Sequence, residues 1–241
     1  MSAIWVVVSA MLVIILGLSH AFMAPRNLVI QHRVRTSLSS STSFREDSFV
    51  SASVTGKIGG ENERTSIIIP ELSVEDKEVL LRGDRVQKQE RSGSCGEGLV
   101  VVDVKSSPDV VFNQLTRFNA YRSMIPTVRK VDVLSITPRV TEAEFRLSKF
   151  MLKVNVLHTV NTEDRTIQFR LNPNRLNPVF SEAAGFWHVE APEDRPKGYS
   201  RVFLSANIRV SRFVPPFLLD YASSKALPRA STWIRPYFEE T

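Results

Sequence analysis

Residues 98–128 read GLVVVDVKSSPDVVFNQLTRFNAYRSMIPTV, and the spacing of apolar positions changes once inside this stretch. From 98 to 105 the residues are mostly valine around a single acid, Asp103, the pattern of a strand buried on at least one side. Ser106 and Ser107 then stand where a helix N-cap belongs. Pro108 fits the first helical position, and Asp109 places a carboxylate in the first turn. Val110, Val111, Phe112, Leu115 and Phe118 recur near helical spacing, which predicts a helix to about residue 117. Residues 121–126 read as a short helical turn ended by Pro126.

Working outward from there, the pattern becomes period two. Residues 128–135, 140–149, 151–161, 166–171, 181–190 and 199–210 read as strands. On 140–149, Ala143, Phe145 and Leu147 share one face and Glu142, Glu144 and Arg146 the other. On 151–161, Leu152, Val154, Val156, His158 and Val160 fall together. Past Pro215 and Pro216 the spacing turns helical again. Phe217, Leu218, Tyr221, Ala222, Ala226 and Leu227 form a stripe that Pro228 interrupts and Trp233 extends. The order of elements is strand, two helices, six strands, long helix. It predicts an α+β domain whose curved antiparallel sheet of about seven strands wraps around a long C-terminal helix. Such a sheet cannot close tightly over one helix, so a ligand cavity is expected between them.

This order resembles the START-like (SRPBCC, helix-grip) superfamily, in its polyketide cyclase and coenzyme Q-binding branch. The resemblance rests on the strand Gly98–Val102, the cap and helix from Ser106 to Phe112, and Leu115–Tyr121 followed by Ile125-Pro126-Thr127-Val128. Gly185-Phe186-Trp187 and the stretch from Pro215-Pro216 to Leu227-Pro228 also fit. It covers residues 96–241 and implies a helix-grip fold that binds a hydrophobic molecule such as a lipid, quinone, pigment precursor or polyketide. Its motifs are packing and capping residues, so they speak for the fold and hardly at all for the ligand.

The N-terminal part reads differently. Residues 4–18 (IWVVVSAMLVIILGL) are an apolar run of 15, short for a membrane span and suited to a signal-peptide core, with Ser19 and Ala21 at the small positions of a cleavage site. Residues 22–45 hold four Arg and no acid, with a hydroxyl-rich stretch from Thr36 to Ser43, the composition of a transit peptide. The junction Ser19-His20-Ala21-Phe22-Met23-Ala24-Pro25 resembles the bipartite plastid presequence of diatoms and related algae, with Met23 inserted. The expected location is therefore a complex plastid reached through the endoplasmic reticulum; ordinary secretion is the alternative. Residues 46–95 read as a low-complexity linker, with an apolar island at Ile67-Ile68-Ile69 and a short helix over residues 74–81.

The charges and the lone cysteine narrow the functional classes. Residues 95–241 carry twenty basic and fifteen acidic residues, scattered rather than clustered. That balance suits peripheral contact with an anionic membrane better than nucleic-acid binding, which is not expected. Arg209 and Arg212 ahead of Phe213-Val214-Pro215-Pro216-Phe217 would serve such docking. Cys95 is the single cysteine, so no internal disulfide can form. The four His are scattered and offer no metal set; no phosphate-cradling loop or nucleophile elbow occurs. No cofactor is expected.

His158 is the candidate for chemistry, since its own strand face is otherwise apolar and would aim it at the cavity. Tyr121, Trp187 and Tyr221 are aromatics able to line a cavity and bond a polar ligand end. Ile125, Phe145, Val156, Phe169 and Phe217 complete the expected lining. Glu142 and Glu144 read as a solvated face, and His188 lies opposite Trp187. The primary reading is a binding or transfer protein for a hydrophobic molecule. Its rival is a cyclase or dehydratase using His158 as general acid/base, with Glu142 or Tyr121 beside it.

Overall fold

A computed structural model describes residues 67–147, 151–177, 180–212 and 231–239. The proposed signal and transit segments, the long C-terminal helix with Pro228, and the site candidates Phe217 and Tyr221 lie outside the described residues, as does the 213–217 stretch.

The elements are α1 (Val74–Leu81), β1 (Arg85–Ser92), β2 (Cys95–Val104), α2 (Pro108–Leu115), a 3-10 turn (Phe118–Ala120) and α3 (Tyr121–Met124). Six strands follow: β3 (Val128–Ile136), β4 (Thr141–Leu147), β5 (Leu152–Asn161), β6 (Thr166–Leu171), β7 (Phe180–Glu190) and β8 (Ser200–Val210). A last short helix, α4, spans Ile234–Glu239. The strands make one curved antiparallel sheet of eight in the order β1-β2-β8-β7-β6-β5-β4-β3, open at β1 and β3. The α+β class and the curved antiparallel sheet are as expected. The strand count is eight because the sheet begins at Arg85, inside the stretch read as linker. β1 (RVQKQERS) has no apolar alternation, so its place in the sheet comes from its partner: Val86 opposes Val101, and Ser92 turns directly into Cys95. Polar, Lys- and Arg-bearing edges of this kind also discourage pairing with other chains.

The sheet has an inner face, packed against α2, α3 and α4, and an outer face. Val100, Val102 and Val104 of β2 point inward and join Val202 and Leu204 of β8, Trp187 and Val189 of β7, and Ile167 of β6. Their neighbours Leu99 and Val101 point outward, where they meet Phe186, Phe203 and Leu80. The valine run that opens the fold is thus buried on both sides, which is why it does not alternate with polar residues. The outer cover is the arm at 67–81. Ser73 caps α1 by accepting from the Asp76 amide at 3.1 Å, while the Asp76 carboxylate accepts from the Ser73 amide at 3.2 Å. Leu80 is fully buried under this cap, a burial contributing about 2 kcal/mol.

Two buried charges sit on the same outer face. Asp103 and Arg201 oppose each other on β2 and β8, and their side chains form a two-point pair at 2.8 and 3.0 Å. Arg201 also donates to Asp194 at 2.9 Å, and Arg195 donates to Asp103 at 2.9 Å and to the Leu80 carbonyl. Arg235 of α4 donates to the carbonyls of Asp103 and Gly83.

Removing one partner of such a pair strands the other charge. Asp103→Leu should lower unfolding free energy by about 3–5 kcal/mol, and adding Arg201→Met should recover most of that loss. Urea unfolding of both variants checks this; a single variant within about 1 kcal/mol of the parent would show that the pair carries little.

Candidate functional site

The inner face of the sheet is read best along one transverse row. Thr141 opposes His158, His158 opposes Phe169, Phe169 opposes Gly185, Gly185 opposes Ala206, and Ala206 opposes Gly98. Bulk falls away along this row, from imidazole and phenyl to glycine, alanine and glycine. Gly185 is fixed by contact: a Cβ there would lie 2.1 Å from the Ser205 carbonyl oxygen and 2.5 Å from the Phe169 ring. The missing side chain lets β7 approach β8 closely and lets Phe169 lie over it. Over Gly98, a Cβ would meet no described atom within 4 Å.

His158 stands at the bulky end of the row among rings. Its centroid is 4.2 Å from that of Phe118 and 5.7 Å from that of Phe145. Tyr121 lies 5.6 Å from Phe118 and 5.9 Å from Phe145. The imidazole is 5% exposed, and its Nδ1 is buried without a hydrogen-bond partner. Burial pulls its pKa down from 6.5 to about 4, with the Thr141 backbone pulling weakly the other way. His158 is therefore a neutral base at physiological pH. Tyr121 is also buried, and burial pushes its pKa up. Its hydroxyl donates to the Leu115 carbonyl at 2.8 Å, which fixes the ring and engages its proton.

The other sequence candidates divide cleanly. Ile125 is buried in the inner core, while Val156 and Phe169 are partly buried against it. Trp187 is on the inner face too, but it packs edge-on against Trp233 with centroids 6.1 Å apart, under α4 rather than beside His158. Glu142 is on the outer face, where Arg175 and Asn172 donate to it at 3.0 and 2.9 Å. Glu144 pairs there with Arg146 at 3.2 Å. Glu142 consequently stands on the opposite side of the sheet from His158 and is not placed to work with it. His188 is buried on the outer face, 3.2 Å from the Thr166 hydroxyl and against Phe203. Arg209 pairs with Glu182 at 3.2 Å.

Phe118 was visible in the sequence only as a helical apolar position; its stacking on His158 depends on the turn that follows α2. Thr141 and Gly185 gave no sequence signal as site residues, since both matter through cross-strand register.

A family model described as "Polyketide cyclase / dehydrase and lipid transport" matches residues 104–230, more than half of the chain. The chain belongs to that family. Among solved structures, a START superfamily protein from Mycobacterium smegmatis is 12% identical with a TM-score of 0.47, over 65% of this chain and 97% of that one. A STAR-related lipid transfer protein from Xanthomonas axonopodis is 16% identical with a TM-score of 0.45, over 63% and 98%. The Zhui aromatase/cyclase from a Streptomyces species is 12% identical with a TM-score of 0.45, over 61% and 91%. No curated protein matches the sequence.

The imidazole predicts a pH signature. The unfolded residue titrates near 6.5 and the folded one near 4, so between these values the unfolded chain holds the extra proton. Stability should be full above about pH 6.5 and fall toward pH 4, by roughly 3 kcal/mol for this residue. Urea unfolding across that range should show the loss in the parent chain and a flatter profile in His158→Leu. Parallel profiles would mean that the ring titrates normally.

Proposed function

We propose that this chain binds, and carries between membranes or enzymes, a hydrophobic small molecule of the lipid, quinone or isoprenoid-pigment kind. The observation that carries the reading is the inner face of the sheet. From β2 to β8 it presents apolar side chains almost throughout, several only partly buried, including Val131, Val133, Val156, Phe169 and Ile208. An apolar, inward-facing surface with one titratable group is the chemistry of a site that desolvates a hydrophobic ligand and orients it once. Family membership, which spans cyclases and lipid transport, is consistent with it.

The second reading is a cyclase or dehydratase in which His158 moves a proton. A neutral imidazole with a free lone pair or N–H at Nδ1 favours it. Against it, Tyr121 is bonded to Leu115, and no carboxylate of the described residues shares the inner face with His158. A base without a partner to return the proton is better suited to binding than to turnover.

The plastid belongs to the same proposal. The acid-free, Ser- and Arg-rich stretch 22–45 behind an apolar run supports it. Contact with an anionic membrane during delivery fits the basic balance of residues 95–241.

Two experiments test these readings. Native mass spectrometry of the chain recovered from an algal host, with solvent extraction, should reveal one co-purifying lipid, quinone or pigment per chain. An empty protein with no affinity for a panel of such molecules counts against binding. Residues 1–45 fused to a fluorescent protein should deliver it to the plastid of a diatom; fluorescence in the medium would establish secretion instead.

A further inference from the structure

The charges of the sheet are sorted by face. On β3 and β4, Lys130, Asp132, Glu142, Glu144 and Arg146 occupy the outward set of paired positions, and Val131, Val133, Ala143 and Phe145 the inward set. The same alternation puts Lys153 of β5, Arg170 of β6, Glu182 and Glu190 of β7 and Arg201 and Arg209 of β8 outward, along with Glu97 and Asp103 of β2. Among the described residues, the paired inward positions from β2 to β8 therefore carry no Asp, Glu, Lys or Arg, and Arg129, at the irregularity of β3, is exposed. Inward positions with a charge appear only on the edge strand β1. There Arg85 donates to the Ser231 hydroxyl at 3.2 Å and Arg91 to the Gly93 carbonyl at 3.1 Å, with four strands between them and β5.

Two consequences follow for whatever lies on that face. An ionised head group there would lose its water and gain no counter-charge from the described strands, which disfavours carboxylates and phosphates as the buried end of the ligand. A wholly apolar molecule would leave Nδ1 of His158 unpaired, as it is in this structure. The group that resolves both is an uncharged one able to hydrogen-bond. A hydroxyl fits either form of the neutral ring, donating to a bare Nδ1 or accepting from a protonated one.

We propose, on the hydrophobic-ligand reading above, that the ligand is an uncharged alcohol or phenol whose hydroxyl bonds Nδ1 of His158, with its apolar body running past Phe169 toward Ala206 and Gly98. Phe169 fills the space over Gly185, so the body passes that ring to reach Gly98, where a Cβ would meet no described atom within 4 Å.

The test uses three probes that share one aromatic body: 1-pyrenebutanol, 1-pyrenebutyrate and 1-butylpyrene. Binding to the chain recovered from an algal host is followed by quenching of tryptophan emission, for which Trp187 and Trp233 are placed on the inner face. The alcohol should bind about tenfold or more tightly than the carboxylate, and several-fold more tightly than the hydrocarbon. His158→Leu should erase the alcohol's advantage over 1-butylpyrene while 1-butylpyrene still binds. His158→Phe serves where the leucine variant fails to fold. A carboxylate that binds as tightly as the alcohol, or an alcohol advantage that survives both substitutions, overturns this inference and leaves hydrophobic binding standing. Absence of binding by all three probes overturns the hydrophobic-ligand reading beneath it.

Discussion

Asp103 and Arg201 hold β2 and β8 together at a point where three other segments converge. The pair lies on β2 and β8, the 191–199 loop adds Asp194 and Arg195, and the arm at 67–81 is caught through the Leu80 carbonyl. Helix α4 is caught through Arg235. Each ion is nearly inaccessible to water, so its desolvation is offset only because every partner is in place. A buried pair of this kind is a weak source of net stability and a strong source of specificity. Any register other than Asp103 opposite Arg201 would strand a charge inside the protein. With that register fixed, the inner face is fixed as well. Because side chains alternate strictly, a slip of one residue would turn Val100, Val102 and Val104 outward and carry Asp103 into the interior.

The same alternation explains how an open sheet can shelter an apolar surface. On the β1, β2, β8 and β7 side, the outer face is covered by Leu80, Ile69 and Leu72 of the arm, so both faces are dry. On the β3 to β6 side, the outer face is closed by polar contacts. Glu142 is bonded by Asn172 and Arg175, and Asn177 accepts from the Asn155 amide. The charged residues are used where water or partners reach them, and the inner surface is left with a low local dielectric. That is the physical source of the depressed His158 basicity, since no charge on the same face counters the desolvation.

Most of this was legible in the sequence because period and capping report directly on elements. Strand β6 was predicted with its observed bounds, and Ser107-Pro108-Asp109 marked the start of α2 even though the Ser107 hydroxyl makes no capping bond. Short-range patterns could not show β1. Arg85–Ser92 has the composition of a linker and becomes a strand only because β2 supplies the opposite half of a hairpin. The Asp103–Arg201 pair was equally hidden, since a lone acid in a valine run gives no hint of a partner almost a hundred residues away. For the site, face assignment from alternation placed His158, Phe145, Val156 and Phe169 on one surface correctly. What it could not supply was the third dimension. Whether Tyr121 reaches a ligand or a carbonyl is decided by the path of the chain after Leu115, and the stacking of Phe118 on His158 by the same turn.

Two buried polar atoms lack partners among the described side chains, and comparing them clarifies what His158 is for. Asn155 Oδ1 sits on the outer face beside Asn172 and Asn177, whose backbone and amide groups already bond to that strand. Amide-rich surroundings can satisfy it through small rearrangements or a water, and an asparagine there is explained by the loop it anchors. Nδ1 of His158 has no such neighbourhood. Its surroundings are Phe118, Phe145 and Phe169, and an apolar residue in that position would remove an unmet hydrogen bond worth about 1–3 kcal/mol. Leucine or phenylalanine would pack against the same rings and forgo only the interaction of the ring with the Thr141 backbone. A buried ring nitrogen that the described residues leave unpaired marks a position open to a group from outside the folded chain. Under the proposal above, the ligand is what brings that hydrogen-bonding group.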